Sequence, residues 1–535
     1  MGASDDFQTN EKTALRRYWF RGEPFVWVCG ASLTAIILMA FIFLVVIVAN
    51  GIGMFWPAAV NQFQLQDGSV LMGEVVDEEA GPDGRLRYQI KIGNRDLYGL
   101  DFRWVDAHAI ADRSEPAEAV TIERTGYGNF YGFPAEAGPD GRQRLRQDLV
   151  TAAKVLDNIG DLEARVAGIS QDIRDRQQEL RKAAFAAGQD PEQVGEGDAD
   201  LGRMQAEFDR EVEILDAAVK SARMRTRTFR DAAGREKEIA LVDIVRLTWP
   251  NSMGFGEKVG YYMTRVGELL TAEPRESNTE GGLFPAIFGT VMLVLIMSVL
   301  SFPLGVMAGI YLREYAKEGP VVRMIRIGVN NLAGIPSIVY GIFGLGFFIY
   351  GVGGGIDQLF FAERLPEPTY GTGGILWASL TLGLLTMPVV IVATEEALGM
   401  VPGDLRQNSF ALGATRIQTV LRVLLPAASP GIMTGFILAM ARAAGEVAPL
   451  MITGVVKLAP DLPMDGTFPF FHPERKFMHL GFHIFDISCQ SPNVEAAKPM
   501  VYMTTLLLIL VVMCLASTAI VWRTHMRKKF TGRAV

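Results

Sequence analysis

Six apolar runs, each long enough to cross a bilayer, mark this sequence of 535 residues, and one long polar stretch separates the first run from the rest. A spanning helix needs roughly 20 apolar residues. Phe25–Met54, Leu283–Leu312, Asn331–Tyr350, Gly373–Ala393, Pro430–Val456 and Pro499–Trp522 meet that requirement. The first run exceeds the ~7–15-residue core of a signal peptide and shows no clear cleavage site, so it reads as an uncleaved anchor. Six spans place both termini on one side of the membrane. Basic residues choose the side. Lys12, Arg16, Arg17 and Arg21 precede the first run, and Arg313, Lys317, Arg323 and Arg326 follow the second. Arg406, Arg416 and Arg422 follow the fourth, and Arg523, Arg527, Lys528, Lys529 and Arg533 follow the last. These segments are expected in the cytoplasm, and residues 56–280 outside, in the periplasm.

Composition agrees with a mixture of membrane and water-exposed parts. Hydrophobic residues make up 49% of the chain and charged ones 21%. The net charge of −8 comes with no clustered basic face, so no nucleic-acid partner is expected. Cys29 and Cys514 fall in apolar runs, and no CxxC or Cys/His cluster points to a metal. No G-x-x-x-x-G-K-[ST] is present; "GFGEKVG" at 254–260 lacks the pattern. Neither ATP hydrolysis by this chain nor any other enzyme activity is expected.

Residues 60–135 alternate apolar and polar residues between turns such as "GPDG" and "IGNRD", which predicts strands. From 141 to 185 the apolar positions recur at steps of three and four, and a second such stripe runs from Leu201 to Val219. The simplest object is a helical hairpin within 141–230, with arms roughly 50 Å long at ~1.5 Å per residue. A returning strand is predicted at 237–250 and an amphipathic helix at 256–273. The hairpin either docks a partner or is a self-satisfied insertion. His108 has no partner obvious from sequence.

Between the fourth and fifth runs the chain reads "EEALGMVPGDLRQNSFALGATRIQTVLRVLLPAASPGI". A short helix at 403–412 is expected to turn at Gly413 into a second helix at 415–424, which Pro426 stops. This knob resembles the coupling loop of ABC importer permeases, whose pattern is E-A-A, three residues, G, nine residues, I-x-L-P. Gly413, Val423, Leu425 and Pro426 match; Gln407, Asn408 and Ser409 stand where Glu-Ala-Ala would be. The stretches 281–316, 330–348 and "ARAAGEVAPLM" at 441–451 resemble, more narrowly, the phosphate-specific permeases of that family.

The resemblance implies a mostly α membrane protein: six transmembrane helices of the ABC importer permease type, with an inserted α+β periplasmic domain that contains the helical hairpin. The expected layout is a cytoplasmic N-terminus (1–24), a first transmembrane helix (25–55), the periplasmic domain (56–280), a five-helix permease domain (281–525) and a cytoplasmic tail (526–535). The coupling loop, 395–426, would meet the ATPase through Glu395, Glu396, Gln407, Asn408, Ser409, Gly413, Ala414, Thr415 and Pro426. Expected partners are a second homologous permease, two ATP-binding subunits, and a periplasmic phosphate-binding protein. ATP would be used by those subunits, with no cofactor on this chain, in a bacterial inner membrane.

Arg442 and Glu446 are expected near the middle of the fifth span, where a charge costs several kcal/mol and marks a polar pathway by default. Their i, i+4 spacing allows a structural ion pair. The alternative is substrate contact, since a guanidinium forks onto phosphate oxygens and a carboxylate accepts a phosphate OH that sulfate lacks. The resemblance assigns Arg442 and Glu446 to the pathway; Val447 stands where a threonine is usual. Asn331 and Ser337 in the third run are further pathway candidates, with interhelical hydrogen bonding as the alternative. Two rival readings remain: a permease for another oxyanion, or a membrane receptor or scaffold working through its periplasmic domain.

Overall fold

A computed structural model of the protein describes residues 19 and 23–531, apart from 81–83, 137, 190–197, 276–277, 279, 467 and 492–493. The basic residues Lys12, Arg16, Arg17, Arg21 and Arg533, and most of the hairpin's connecting loop, lie outside the described residues.

Among the described residues, six helices are long and apolar enough to cross a membrane: Phe25–Gly53, Phe284–Tyr315, Ser337–Phe360, Ile375–Gly399, Arg416–Gly445 and Val494–Lys528. The first belongs to helix α1 (Glu23–Gly53), which packs mainly on the last and leaves most of its length exposed. The others form the bundle, and small residues set their approach. Gly305 and Gly309 of the second span seat Val390 and Thr394 of the fourth. Gly431 and Gly435 of the fifth seat Ala397 and Ala393. A Cβ at Gly309 would lie 2.6 Å from the Thr394 Cβ, so only glycine permits this contact.

Two expected spans are corrected. The third starts at Ser337 rather than Asn331. Pro336 is extended at φ −56°, ψ 136° and follows Gly334, so the preceding helix ends at Leu332. Asn331 therefore sits outside the span. The fifth runs from Arg416 to Gly445 rather than from Pro430 to Val456. Pro426 does not stop it. A widened, π-helical turn at Val420–Leu424 precedes this proline, and the helix continues through it. The span ends instead where Glu446 turns extended and Pro449 opens a short helix, Ala448–Thr453.

The inserted domain holds two five-stranded antiparallel sheets of the same order. The first contains β1 (Asn61–Leu65), β2 (Val70–Ala80), β3 (Leu86–Lys91), β4 (Phe102–Asp106) and β5 (Ile110–Ser114). The second contains β6 (Val120–Arg124), β7 (Phe130–Pro134), β8 (Thr226–Arg230), β9 (Glu236–Ala240) and β10 (Ile244–Thr248). Four strands meander in each, and the fifth returns beside the first after a 3-10 turn, Ala107–Ala109 or Leu241–Asp243. The single strand expected at 237–250 is thus two strands around such a turn. The helical hairpin is inserted between β7 and β8, so β8 is not part of it. Its first arm, α2 (Pro139–Ala186), has 48 residues and its second, α3 (Ala199–Arg223), only 25. At ~1.5 Å per residue the arms are about 72 and 37 Å long rather than equal. The second arm starts late because Asp198 caps it, accepting from the backbone N–H of Asp200 and Leu201.

Helix α4 (Phe255–Thr271) leads to the second span, and Arg265 and Arg275 tie its Glu268 to Glu123 of β6 at 2.8–3.1 Å. Shorter helices within and between the spans include α5 (Pro320–Leu332), α6 (Gly403–Ala411), α7 (Arg416–Thr419), α8 (Ala448–Thr453) and α9 (Leu480–Cys489).

Candidate functional site

The break after Gly445 puts Arg442 in the last turn of the fifth span and Glu446 just beyond it, not mid-helix. Arg442 Nε lies 3.4 Å from Glu446 Oε1, and the two side chains are 37% and 20% exposed. A long, half-open pair of this kind leaves guanidinium N–H groups free to reach a ligand. The backbone around it is fixed: Ala443 is fully buried with Tyr340, Ala378, Leu382 and Leu450. Tyr340 donates to the Leu332 carbonyl at 2.7 Å and so fastens the 333–336 turn to the same core. Ser337 is half-buried where the third span begins beside that turn, while Asn331 is exposed on α5. Of the four expected pathway residues, the structure pairs only Arg442 with Glu446.

The bend between the fourth and fifth spans is built by local chemistry. Helix α6 ends at Ala411, and Gly413 takes φ +83°, which lets the Gly413 N–H reach Phe410 O and the Ala414 N–H reach Ser409 O. Thr415 then caps α7 reciprocally with Gln418. Ser409 and Thr419 share a buried hydroxyl–hydroxyl hydrogen bond of 2.9 Å that locks the two short helices together. Gln407, Asn408 and Glu396 are exposed. Glu395 is not free: Arg326 of α5 donates to it at 3.2 Å and also to Leu312 O. Arg406 donates to Glu314 at 2.6 and 3.3 Å and to Leu398 O.

Sequence reading passed over the feature that dominates this surface. Phe410, Leu412 and Ile417 project from the bend, Leu412 with 89% of its surface exposed. Apolar side chains flanking a glycine in a polar segment were the available signal. Among the described residues, no three His, Cys, Asp or Glu side chains are grouped to hold a metal ion.

Residues 301–527 match the family described as the inner membrane component of binding-protein-dependent transport systems. The chain is 34% identical over 215 residues to the phosphate transport system permease protein PstA of Mycobacterium leprae, covering 40% of this chain and 64% of that one. It is 38% identical over 172 residues to the phosphate transport system permease protein PstA 1 of Mycobacterium tuberculosis, covering 32% and 51%. It thus spans less than two thirds of both mycobacterial relatives. With the probable ABC transporter permease protein YqgI of Bacillus subtilis it shares 33% identity over 239 residues, 43% of this chain and 74% of that one. A six-span bundle, a capped bend between its fourth and fifth spans and this degree of identity have one common reading: the chain belongs to the binding-protein-dependent transport system inner membrane components, the permeases of ABC importers.

Proposed function

We propose that this chain is one of two permease subunits of an ATP-driven importer of inorganic phosphate. The observation that carries the reading is the loosely held Arg442–Glu446 pair at the helix break. Arg442 supplies forked donors to a tetrahedral oxyanion, and Glu446 accepts the hydrogen of a protonated one. A carboxylate there repels an anion that brings no proton, which separates phosphate from sulfate. The mycobacterial relatives, both phosphate transport system permease proteins, support the same substrate. Asn331 and Ser337 flank the turn before the third span and line its approach.

The basic loops set the bend and both termini on the cytoplasmic side, with the inserted domain in the periplasm. Phe410, Leu412 and Ile417 then seat in one of two separate ATP-hydrolysing subunits. A second, related permease completes the pathway, and a periplasmic phosphate-binding protein delivers the ion. This chain binds no cofactor; ATP is used by its partners.

The test is ³²P-phosphate uptake by the assembled transporter, competed with arsenate and with sulfate. Arsenate, which carries a proton at neutral pH, competes; sulfate does not; Arg442→Ala abolishes uptake while the complex still assembles. Equal competition by sulfate would remove Glu446 from its role, and normal uptake by the Arg442 variant would remove the pathway assignment.

A further inference from the structure

Helix α2, the long arm of the inserted hairpin, reaches the permease itself. Arg181 Nη1 lies 3.9 Å from Glu367 Oε2, in the loop between the third and fourth spans. Between helix and loop a polar cleft of about 450 Å³ opens, lined by four arginines, Arg174, Arg181, Arg364 and Arg475, against two carboxylates, Glu367 and Glu474. The arginines are unequally used. Arg475 is held by Asp465 and the Leu462 carbonyl. Arg174 donates only to the neutral partners Gln171 and Ser170 of its own helix. Arg364 donates to Thr369 at 3.3 Å, and its Nε is buried with no hydrogen-bond partner among the described residues. Among the described residues neither Arg174 nor Arg364 has a carboxylate partner. The cleft therefore carries excess positive charge between two protein walls.

Its position links it to the pathway. The chain leaving Glu446 runs through α8 to Gly454, which packs against Gly373 and Gly374. The Arg475 carbonyl accepts from the Ile375 N–H at the start of the fourth span. Cleft and ion pair thus lie at the two ends of one short helix.

We propose that this cleft is an oxyanion-binding vestibule, in which the insert contributes Arg174 and the permease Arg364 to hold inorganic phosphate at the outer rim. The inference rests on the reading of this chain as an oxyanion permease. Guanidinium groups from both walls, with Gln178 and Thr372 beside them, are the kind of donors that tetrahedral oxyanions take. A cleft lined mainly by one sign of charge focuses the field and raises the local anion concentration. Protein docking needs roughly 800 Å² of surface per partner, more than this two-walled slot presents.

Equilibrium binding of ³²P-phosphate to the purified, detergent-solubilised transporter at low ionic strength tests this directly. Arg442→Ala serves as background, so that the inner pair is silent. Binding should persist there, weaken with added salt, fall at least tenfold in Arg174→Ala/Arg364→Ala, and partly return in Arg174→Lys/Arg364→Lys. Absence of binding in the Arg442→Ala background would overturn the vestibule, as would unchanged binding in the double alanine variant. A double variant that binds phosphate normally but loses stimulation by the periplasmic binding protein would make the cleft a docking surface instead. Binding in the cleft without ATP-driven uptake by the wild type would sink the transport reading alone, whereas uptake without cleft binding would sink only the vestibule.

Discussion

Arg406 and Glu314 join the bend to the end of the second span through a two-pronged contact of 2.6 and 3.3 Å, with both side chains mostly buried. Force applied to the bend therefore reaches the bundle through an ion pair as well as through the chain. Arg406→Ala leaves Glu314 buried and unpaired, which costs up to about 3 kcal/mol locally. The expected result is at least a tenfold drop in phosphate uptake per ATP hydrolysed, with restored coupling when the charges are exchanged as Arg406→Glu/Glu314→Arg. Reconstituted vesicles in which uptake and ATP hydrolysis are measured together decide the matter; unchanged coupling in the single variant would remove Arg406 from force transmission.

Leu412 separates contact with a partner from stability of the fold. Its side chain touches little within this chain, so Leu412→Asp should change the melting behaviour by no more than ~0.5 kcal/mol. The same change puts a charge into any groove that receives the bend. Co-purification of the ATP-hydrolysing subunit from membranes should drop sharply. Retention of that subunit at wild-type levels would mean that the bend is held by other residues.

The membrane part was legible because its signals are local and physical. A run of apolar residues declares a span, and Gly413 before Thr415 declares a turn and a cap. What escaped was set by interruptions weaker than the hydropathy signal. Gly445 and Pro449 end the fifth span inside an apolar run, so Arg442 and Glu446 read as mid-helix residues when they flank its end. Pro426 read as a stop, because a widened turn that accommodates a proline leaves no mark in composition. The paired glycines at 305/309 and 431/435 were in plain view, yet what each one faces depends on the bundle. The inserted domain hid its symmetry for a topological reason. A helical hairpin splits the second sheet between β7 and β8, so two copies of one strand order appear in sequence as strands, helices and one more strand. Nothing in the local sequence sets Arg174 and Arg181 apart from the other charges of the hairpin; the long reach of α2 brings them against Arg364 and Glu367.

Asp96, in the loop between β3 and β4, is gripped by the second sheet: Arg124 of β6 and Lys237 of β9 each approach it to 3.0 Å. Burial alone would raise the Asp96 carboxyl, but hydrogen bonds from Arg124 and Lys237 outweigh it and hold the group below its ordinary value. Because the folded value is depressed, the stabilisation is complete above the unfolded value near 4 and fades as pH falls below it. Arg124→Met should cost about 2–3 kcal/mol and loosen the joint between the sheets. Hydrogen exchange of β4 and β6 in the intact chain provides the measurement. Protection equal to that of the wild type would show that the apolar contacts, not the ion pairs, hold the two sheets together.

His479 and His483 give the chain a second, opposite kind of acid sensitivity. Both are almost fully buried at the start of α9, 1% and 2% exposed. Burial pushes His479 down to about 3 and His483 down to about 4; near His483, Asp486 works against the shift and Lys457 with it. Asp486 is ion-paired with Lys457 at 3.1 Å, so its pull on a charged imidazole is largely offset and does not outweigh the burial. Among the described residues, both ring nitrogens of His483 lack hydrogen-bond partners, as does Nε2 of His479. The folded chain must therefore keep these rings neutral while the unfolded chain protonates them near pH 6.5. Stability is complete above pH 6.5 and declines as pH falls toward the folded values, by about 1.4 kcal/mol per histidine for each pH unit. At pH 5.5 the two together should remove nearly 3 kcal/mol. His479 is the poorer choice for a probe, because its Nδ1 accepts from the Gly481 N–H and caps α9. His483→Leu replaces an unpartnered ring with an apolar side chain of similar bulk and should halve the loss between pH 7 and 5.5. Thermal unfolding of the purified transporter across that range reads it directly. A variant whose melting temperature falls as steeply as that of the wild type would show that His483 does not limit stability in acid.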